Sequence, residues 1–246
     1  MDNIGVISYA TGAGVFLILS LVLMTGQRGR PHKTALMLAS LVSAVWLGVA
    51  AYCISHDLSL LPAYLLEPLR NLALFAFLIR VLSAAYRQPS EAGGYFRRTL
   101  SLFASFSLLM LTLVLYRVAA SHPVAVSGGN DFLLAGFLVM AITGLVLVEQ
   151  VIRNARSESR RSVKFLCMGL GALFAYDFYL YSQALLFQEI DQAIWNARGF
   201  INALVVPVIG IAAVRDPHWS LDIFVSRRVV FHTTALLGAG LYLLAI

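Results

Sequence analysis

An all-α integral membrane bundle of eight transmembrane helices, N-terminus outside and the last helix cut short, is the fold this sequence predicts. Composition is the first reason: hydrophobic residues make up 60% of the 246 residues and charged residues 12%. The mean hydropathy of +0.82 lies well outside the soluble range. The second reason is recurrence, because eight apolar runs are long enough to cross a hydrocarbon core of about 30 Å, which takes about 20 helical residues. These runs are continuous and do not alternate, and a helix satisfies its own backbone in lipid, so helices are expected and a barrel is not.

The first span, residues 4–25, is expected to be retained. Met1-Asp2-Asn3 lacks the positive n-region of a signal peptide, and no small-residue cleavage site follows. The second, 34–54, begins after Lys33, and the third, 64–86, carries Glu67, Arg70 and Arg80. The fourth, 100–120, follows Arg97 and Arg98; the fifth, 132–151, ends beside Glu149 and Arg153. The sixth, 165–187, is interrupted by Asp177, and the seventh, 194–214, contains Arg198, Asn202 and Pro207. The eighth, 229–246, stops inside an apolar run without a polar flank, so the natural reading frame is expected to continue.

Basic residues fall in every second connection. Arg28, Arg30 and Lys33 follow the first span, Arg87, Arg97 and Arg98 the third, Arg153, Arg156, Arg160, Arg161 and Lys164 the fifth, and Arg215, Arg227 and Arg228 the seventh. Lys and Arg are retained on the cytoplasmic side during insertion, so these connections are expected inside. The opposite connections carry His56, Asp57, His122, Asp131, Glu189 and Asp191 and no Lys or Arg. The net charge of +6 is thus spread over membrane-flanking loops and suits anionic lipid headgroups, not nucleic acid.

Several chemistries lack their residues. Cys53 and Cys167 are predicted at opposite ends of their spans, too far apart for the about 7 Å a disulfide allows, and no Cys/His metal spacing exists. There is no HExxH, no His pair placed for haem, no convincing Ser/His pair and no Gly-rich nucleotide box. Of His32, His56, His122, His218 and His232, only His56 precedes an acidic residue, and it is predicted on the outer face. No metal and no cofactor is expected in this chain.

Charges inside apolar runs do need a reason, because one at a helix centre costs at least about 2.5 to 3.5 kcal/mol. Asp177 lies mid-run with Phe174 one turn before and Tyr181 one turn after. Glu67 and Arg70 share a face and are positioned to pair, and Arg198 and Asn202 are four apart in the seventh span. Asp177, Tyr181, Glu67, Arg70, Arg198 and Asn202 are therefore the expected members of one polar cluster in the outward half, either a signal-sensing site or interhelical glue. Arg80, Arg117 and Glu149 are expected to snorkel. Trp195 and Trp219 suit interfacial belts, Trp46 suits packing, and Gly12, Gly14, Gly169, Gly171, Gly238 and Gly240 suit close helix contact. In the connection after span seven, Pro217 stops the helix, Trp219 anchors at the headgroups, and Arg227 with Arg228 grip anionic lipid. That anchored loop is expected to transmit movement of helix 7, or to be an ordinary positive loop.

The stretch RDPHWSLDIFVSRRVVFHTTALLGAGLYLL, Arg215 to Leu244, is more particular than hydrophobicity requires. It resembles the multi-pass membrane region of the sensor histidine kinases of the exosortase (PEP-CTERM) system, the PrsK-like family, with looser similarity back through Phe178 to Asp216. The resemblance implies a bacterial cytoplasmic (inner) membrane protein and a homodimer. It also implies a ninth membrane helix, a GAF-type module, a phosphoacceptor helix pair and an ATP-binding domain beyond Ile246. There a His would be phosphorylated from ATP with Mg and the phosphate passed to a response regulator, a two-component phosphorelay. Parity agrees with the ninth crossing, since eight crossings from outside end outside. No matched residue is catalytic. The other reading is a small transporter, channel or accessory membrane subunit, which should show an internal repeat or paired broken helices; Pro207 has no counterpart in another half.

Overall fold

The computed structural model describes residues 2–25, 31–83, 89–119, 131–154 and 160–215. All of the regular structure in these residues is helical, in seven helices: α1 (Asp2–Thr25), α2 (Pro31–Ser55), α3 (Leu61–Ser83), α4 (Pro89–Ala119), α5 (Asp131–Asn154), α6 (Arg160–Phe187) and α7 (Gln192–Arg215). The predicted eighth span and the loop residues Pro217, Trp219, Arg227 and Arg228 lie outside the described residues.

Six helices, all except α3, are long and apolar enough to cross a membrane, which makes this a multi-pass membrane protein. Leu17, Leu21, Leu109, Phe132 and Leu204 are among the large apolar side chains left facing outward. Helix α3 carries Glu67, Arg70 and Arg80 and does not qualify on composition. It nonetheless has 23 residues, about 34 Å of helix, and packs between α2, α4 and α5. Its Glu67, Arg70 and Asn71 are all buried, so its polar face is turned into protein and away from lipid.

Packing closes a ring. Helix α1 lies against α2 and α7, α7 against α6, α6 against α5, α5 against α3, and α3 against α2, while α4 braces α3 from outside. Local chemistry sets the joints at the end holding the α2–α3 and α6–α7 turns. Helix α2 closes in a Schellman motif, with Leu58 N donating to Cys53 O at 2.8 Å and Asp57 taking the left-handed conformation at φ 51. Helix α6 ends at Phe187, and Gln188 just beyond it takes the left-handed conformation at φ 58. Asp191 then caps α7, its Oδ1 accepting from Ala193 N at 2.7 Å and Ile194 N at 3.3 Å.

The α1–α7 seam is tight. Tyr9 donates to Trp195 O at 2.9 Å, and Phe200 N donates to Ser8 Oγ at 2.9 Å. A Cβ added to Gly199 would stand 2.6 Å from Ser8 O, and one on Gly12 would stand 2.9 Å from Gly199 O. Gly12 thus packs as expected for a small residue between helices. Gly169 also does, against Val205 and Ile209 of α7. Gly14 does not, because nothing lies within 4 Å of its added Cβ; it faces away from the seam.

At the opposite end, Arg153 donates to Glu149 at 3.3 Å, with side-chain exposures of 70% and 60%. Glu149→Ala is expected to change the unfolding free energy by less than about 0.5 kcal/mol, because an exposed i,i+4 pair in high dielectric gains little. Thermal unfolding in detergent reads this directly. Arg80 is half-buried, with its guanidinium 4.7 Å from the Phe96 ring centre. Cys53 and Cys167 are both free and buried.

Candidate functional site: a closed ion cluster in the bundle core

Each charged member of the site reaches the centre of the ring from a different position along its helix. Glu67 and Arg70 lie about 9 and 14 Å from the start of α3, Arg198 about 9 Å from the start of α7, and Asp177 about 15 Å from the end of α6. Because α3, α6 and α7 meet at the same end of the bundle, these distances bring the four side chains to nearly one level. Relative exposures are 0% for Glu67, Arg70 and Arg198 and 2% for Asp177.

The pairing runs between helices. Arg70 Nη1 donates to Asp177 Oδ2 at 3.1 Å, and Arg198 Nε donates to Asp177 Oδ1 at 2.8 Å. Arg198 Nη2 donates to Glu67 Oε1, which also accepts from Tyr181 OH at 2.5 Å. Asn202 Oδ1 accepts from Arg70 Nη2 at 3.2 Å, and its Nδ2 donates to Arg198 O at 2.8 Å. Two carboxylates and two guanidiniums make the cluster formally neutral. That balance is what permits four ions in a low-dielectric interior, where an unpaired charge costs several kcal/mol.

All six residues singled out from the sequence are thus brought together: Asp177, Tyr181, Glu67, Arg70, Arg198 and Asn202. One expected contact is corrected. Glu67 and Arg70 share a face of α3, but their ion pairs run to Arg198 and Asp177 on other helices. The reason is geometric: α6 and α7 present opposite charges directly across the ring, and one planar guanidinium can serve two carboxylates at once.

Aromatic side chains wall the cluster. The Trp46 ring centre lies 4.5 Å from Arg70 Cζ and 4.6 Å from Arg198 Cζ, while Trp46 Nε1 donates to Ala63 O at 3.1 Å. Trp46 is therefore a cation-binding member of the site as well as a packing residue. Arg198 Cζ is also 5.4 Å from both Tyr181 and Trp195. Trp195, expected at the membrane interface, is buried to 1% exposure. Asp191 starts α7 only one turn earlier, and Tyr9 and Tyr64, at 6.3 and 5.3 Å, pack beside the indole. Toward the other end of the bundle, Phe174 stacks with Phe75 at 5.8 Å.

Two prolines border this region. Pro207 lies in α7 as expected, and Pro68 lies inside α3 between Glu67 and Arg70. Lacking an N–H, Pro68 leaves the Tyr64 carbonyl without its helical donor. Among the described residues, no group of three or more His, Cys, Asp or Glu side chains could hold a metal ion.

Tyr181→Phe isolates one arm of the network. It removes a donor to Glu67 and an acceptor from Arg198 at 3.4 Å, with little change in shape. A loss of about 1.5 to 3 kcal/mol is expected, the range for hydrogen bonds to charged partners. Reversible unfolding in mixed micelles would measure it.

No family model, no curated protein and no solved structure matches this chain. The site is therefore read from its own geometry.

Proposed function

We propose that these 246 residues are the membrane-embedded sensory and anchoring region of a two-component sensor histidine kinase in a bacterial cytoplasmic membrane. In this reading the N-terminus and the ion cluster lie in the outward half. The predicted eighth helix leads to a ninth and then to cytoplasmic kinase domains, which use ATP and Mg to phosphorylate a His and pass the phosphate to a response regulator. Homodimerisation belongs to the same reading. The kinase assignment draws on the resemblance of Arg215 to Leu244. Basic side chains of Lys33, Arg97, Arg98, Arg153 and Lys164 stand at one end of the bundle and support the orientation.

The observation that carries a sensory role is the neutral cluster itself. Stability alone does not call for it, because apolar replacements of similar volume often do as well as buried ion pairs. A switch needs two discrete arrangements of near-equal energy, and a network whose pairs run between α3, α6 and α7 can exchange partners when those helices shift. Helix α7 leads directly into the Pro217–Arg228 connection, which conveys the shift toward the kinase.

The test uses the protein from the complete gene in vesicles with radiolabelled ATP. Acid-labile phosphate on the protein is expected, and Asp177→Asn is expected to change the labelling rate at least about fivefold, the lower end of allosteric couplings. Absence of labelling overturns the kinase assignment. Labelling that Asp177→Asn leaves unchanged overturns the sensory role of the cluster.

A further inference from the structure

Three polar atoms around the cluster have no hydrogen-bond partner within the protein: Glu67 Oε2, Arg70 Nε and Trp195 Nε1. Their residues are at least nine-tenths buried. The residues that carry them are neighbours. Glu67 and Arg70 are one turn apart on α3, and Trp195 is one turn from Arg198, which pairs with Glu67 through Nη2 and lies 5.4 Å from the Trp195 ring centre. On the same turn of α3, Asn71 Oδ1 is a further buried acceptor without a partner.

These atoms define what can complete them. Glu67 Oε2 and Asn71 Oδ1 accept, whereas Arg70 Nε and Trp195 Nε1 donate, so the occupant must both donate and accept. Because the two carboxylates and two guanidiniums already balance, a charged occupant would add an uncompensated charge at the core of the bundle. The Trp46, Tyr181 and Trp195 rings stand within 5.4 Å of the guanidiniums, so the occupant must be small. Leaving even one such atom bare costs about 1 to 3 kcal/mol, whereas a buried water making two to four hydrogen bonds removes that cost.

We infer that the cluster is a hydrated site, with ordered water bound by Glu67 Oε2, Arg70 Nε and Trp195 Nε1 in the core of the bundle. This deepens the sensory reading and rests on it only for the consequence in signalling. Bound water lowers the barrier to exchanging ion-pair partners, because it solvates a guanidinium or carboxylate in the moment between one partner and the next. Below this level lies the apolar Phe75–Phe174 layer.

Radiolytic hydroxyl labelling of the intact protein in lipid nanodiscs, read by mass spectrometry, tests the inference without any kinase activity. Radicals form from water in place, so a buried aromatic ring is labelled where water touches it. Labelling of Trp195 or Tyr181 relative to exposed Tyr52 is expected to be clearly faster than labelling of Phe75 relative to an exposed Phe, because the bound water touches those rings. Phe75 should stay protected relative to Phe187, which is exposed beside the polar α6–α7 turn. If Trp195 and Tyr181 are both as protected relative to Tyr52 as Phe75 is relative to Phe187, the hydrated site is overturned. The sensory reading would still stand or fall on the labelling of Asp177→Asn with ATP. Because every comparison is made within one folded sample, a misfolding variant cannot blur the result.

Discussion

Replacing Arg198 with Met is expected to destabilise the bundle by about 3 to 5 kcal/mol, the range for breaking a buried ion pair by removing one partner. Arg198 lies at the upper end of that range because it is shared. Its Nε serves Asp177 and its Nη2 serves Glu67, so the variant leaves one carboxylate with only Tyr181 and the other with only Arg70. Three contacts with Trp46, Tyr181 and Trp195 go as well. Thermal unfolding in micelles, with folded yield as the companion readout, measures the loss. Arg198→Lys should recover only part of it, because a compact ammonium lacks the planar spread of donors with which the guanidinium reaches Asp177 through Nε and Glu67 through Nη2. Full recovery by Lys would mean that charge alone is needed and that the fork geometry is incidental.

Gly199→Ala is expected to cost about 1 to 3 kcal/mol, as overpacking a tight contact does. The added Cβ would stand 2.6 Å from the Ser8 carbonyl oxygen, and the obstacle is backbone, which cannot rotate away. Helices α1 and α7 must separate, and with them go the Phe200 N to Ser8 Oγ and Tyr9 to Trp195 O hydrogen bonds. Gly14→Ala is the control on α1: its Cβ meets nothing within 4 Å, so the helical preference for Ala leaves it neutral or stabilising by about 0.5 to 1 kcal/mol. Equal effects of the two substitutions would show that the α1–α7 seam is not tight.

What the sequence reveals and what it hides divide along physical lines. Asp177, Glu67, Arg70 and Arg198 stand out because a charge within an apolar run must be turned into protein, and spacings of three and four place Tyr181 and Asn202 beside them. Their partners are not legible, because pairing depends on which helices face one another once the ring closes. Glu67 and Arg70 look like a local pair and are not one. Trp46 gives no signal, since a Trp deep in an apolar run looks the same whether it packs against Leu or against two guanidiniums. Trp195 misleads because its position near a helix start suits an interface, yet the Asp191 cap and the α1–α7 seam enclose it. Helix cores are legible and ends less so. Helix α4 begins at Pro89, ahead of the apolar run expected from residue 100, because a Pro suits the first helical position and the polar turns that follow need no lipid.

Central to this account is that α3, α6 and α7 are joined by one coupled ion network. A double-mutant cycle between Glu67→Gln and Arg198→Met, read by unfolding free energy in mixed micelles, tests it most directly. Residues in one buried network couple by about 0.5 to 3 kcal/mol, and the shared guanidinium predicts a value in the upper half of that range. Additive effects of the two substitutions, with a coupling near zero, would contradict the account.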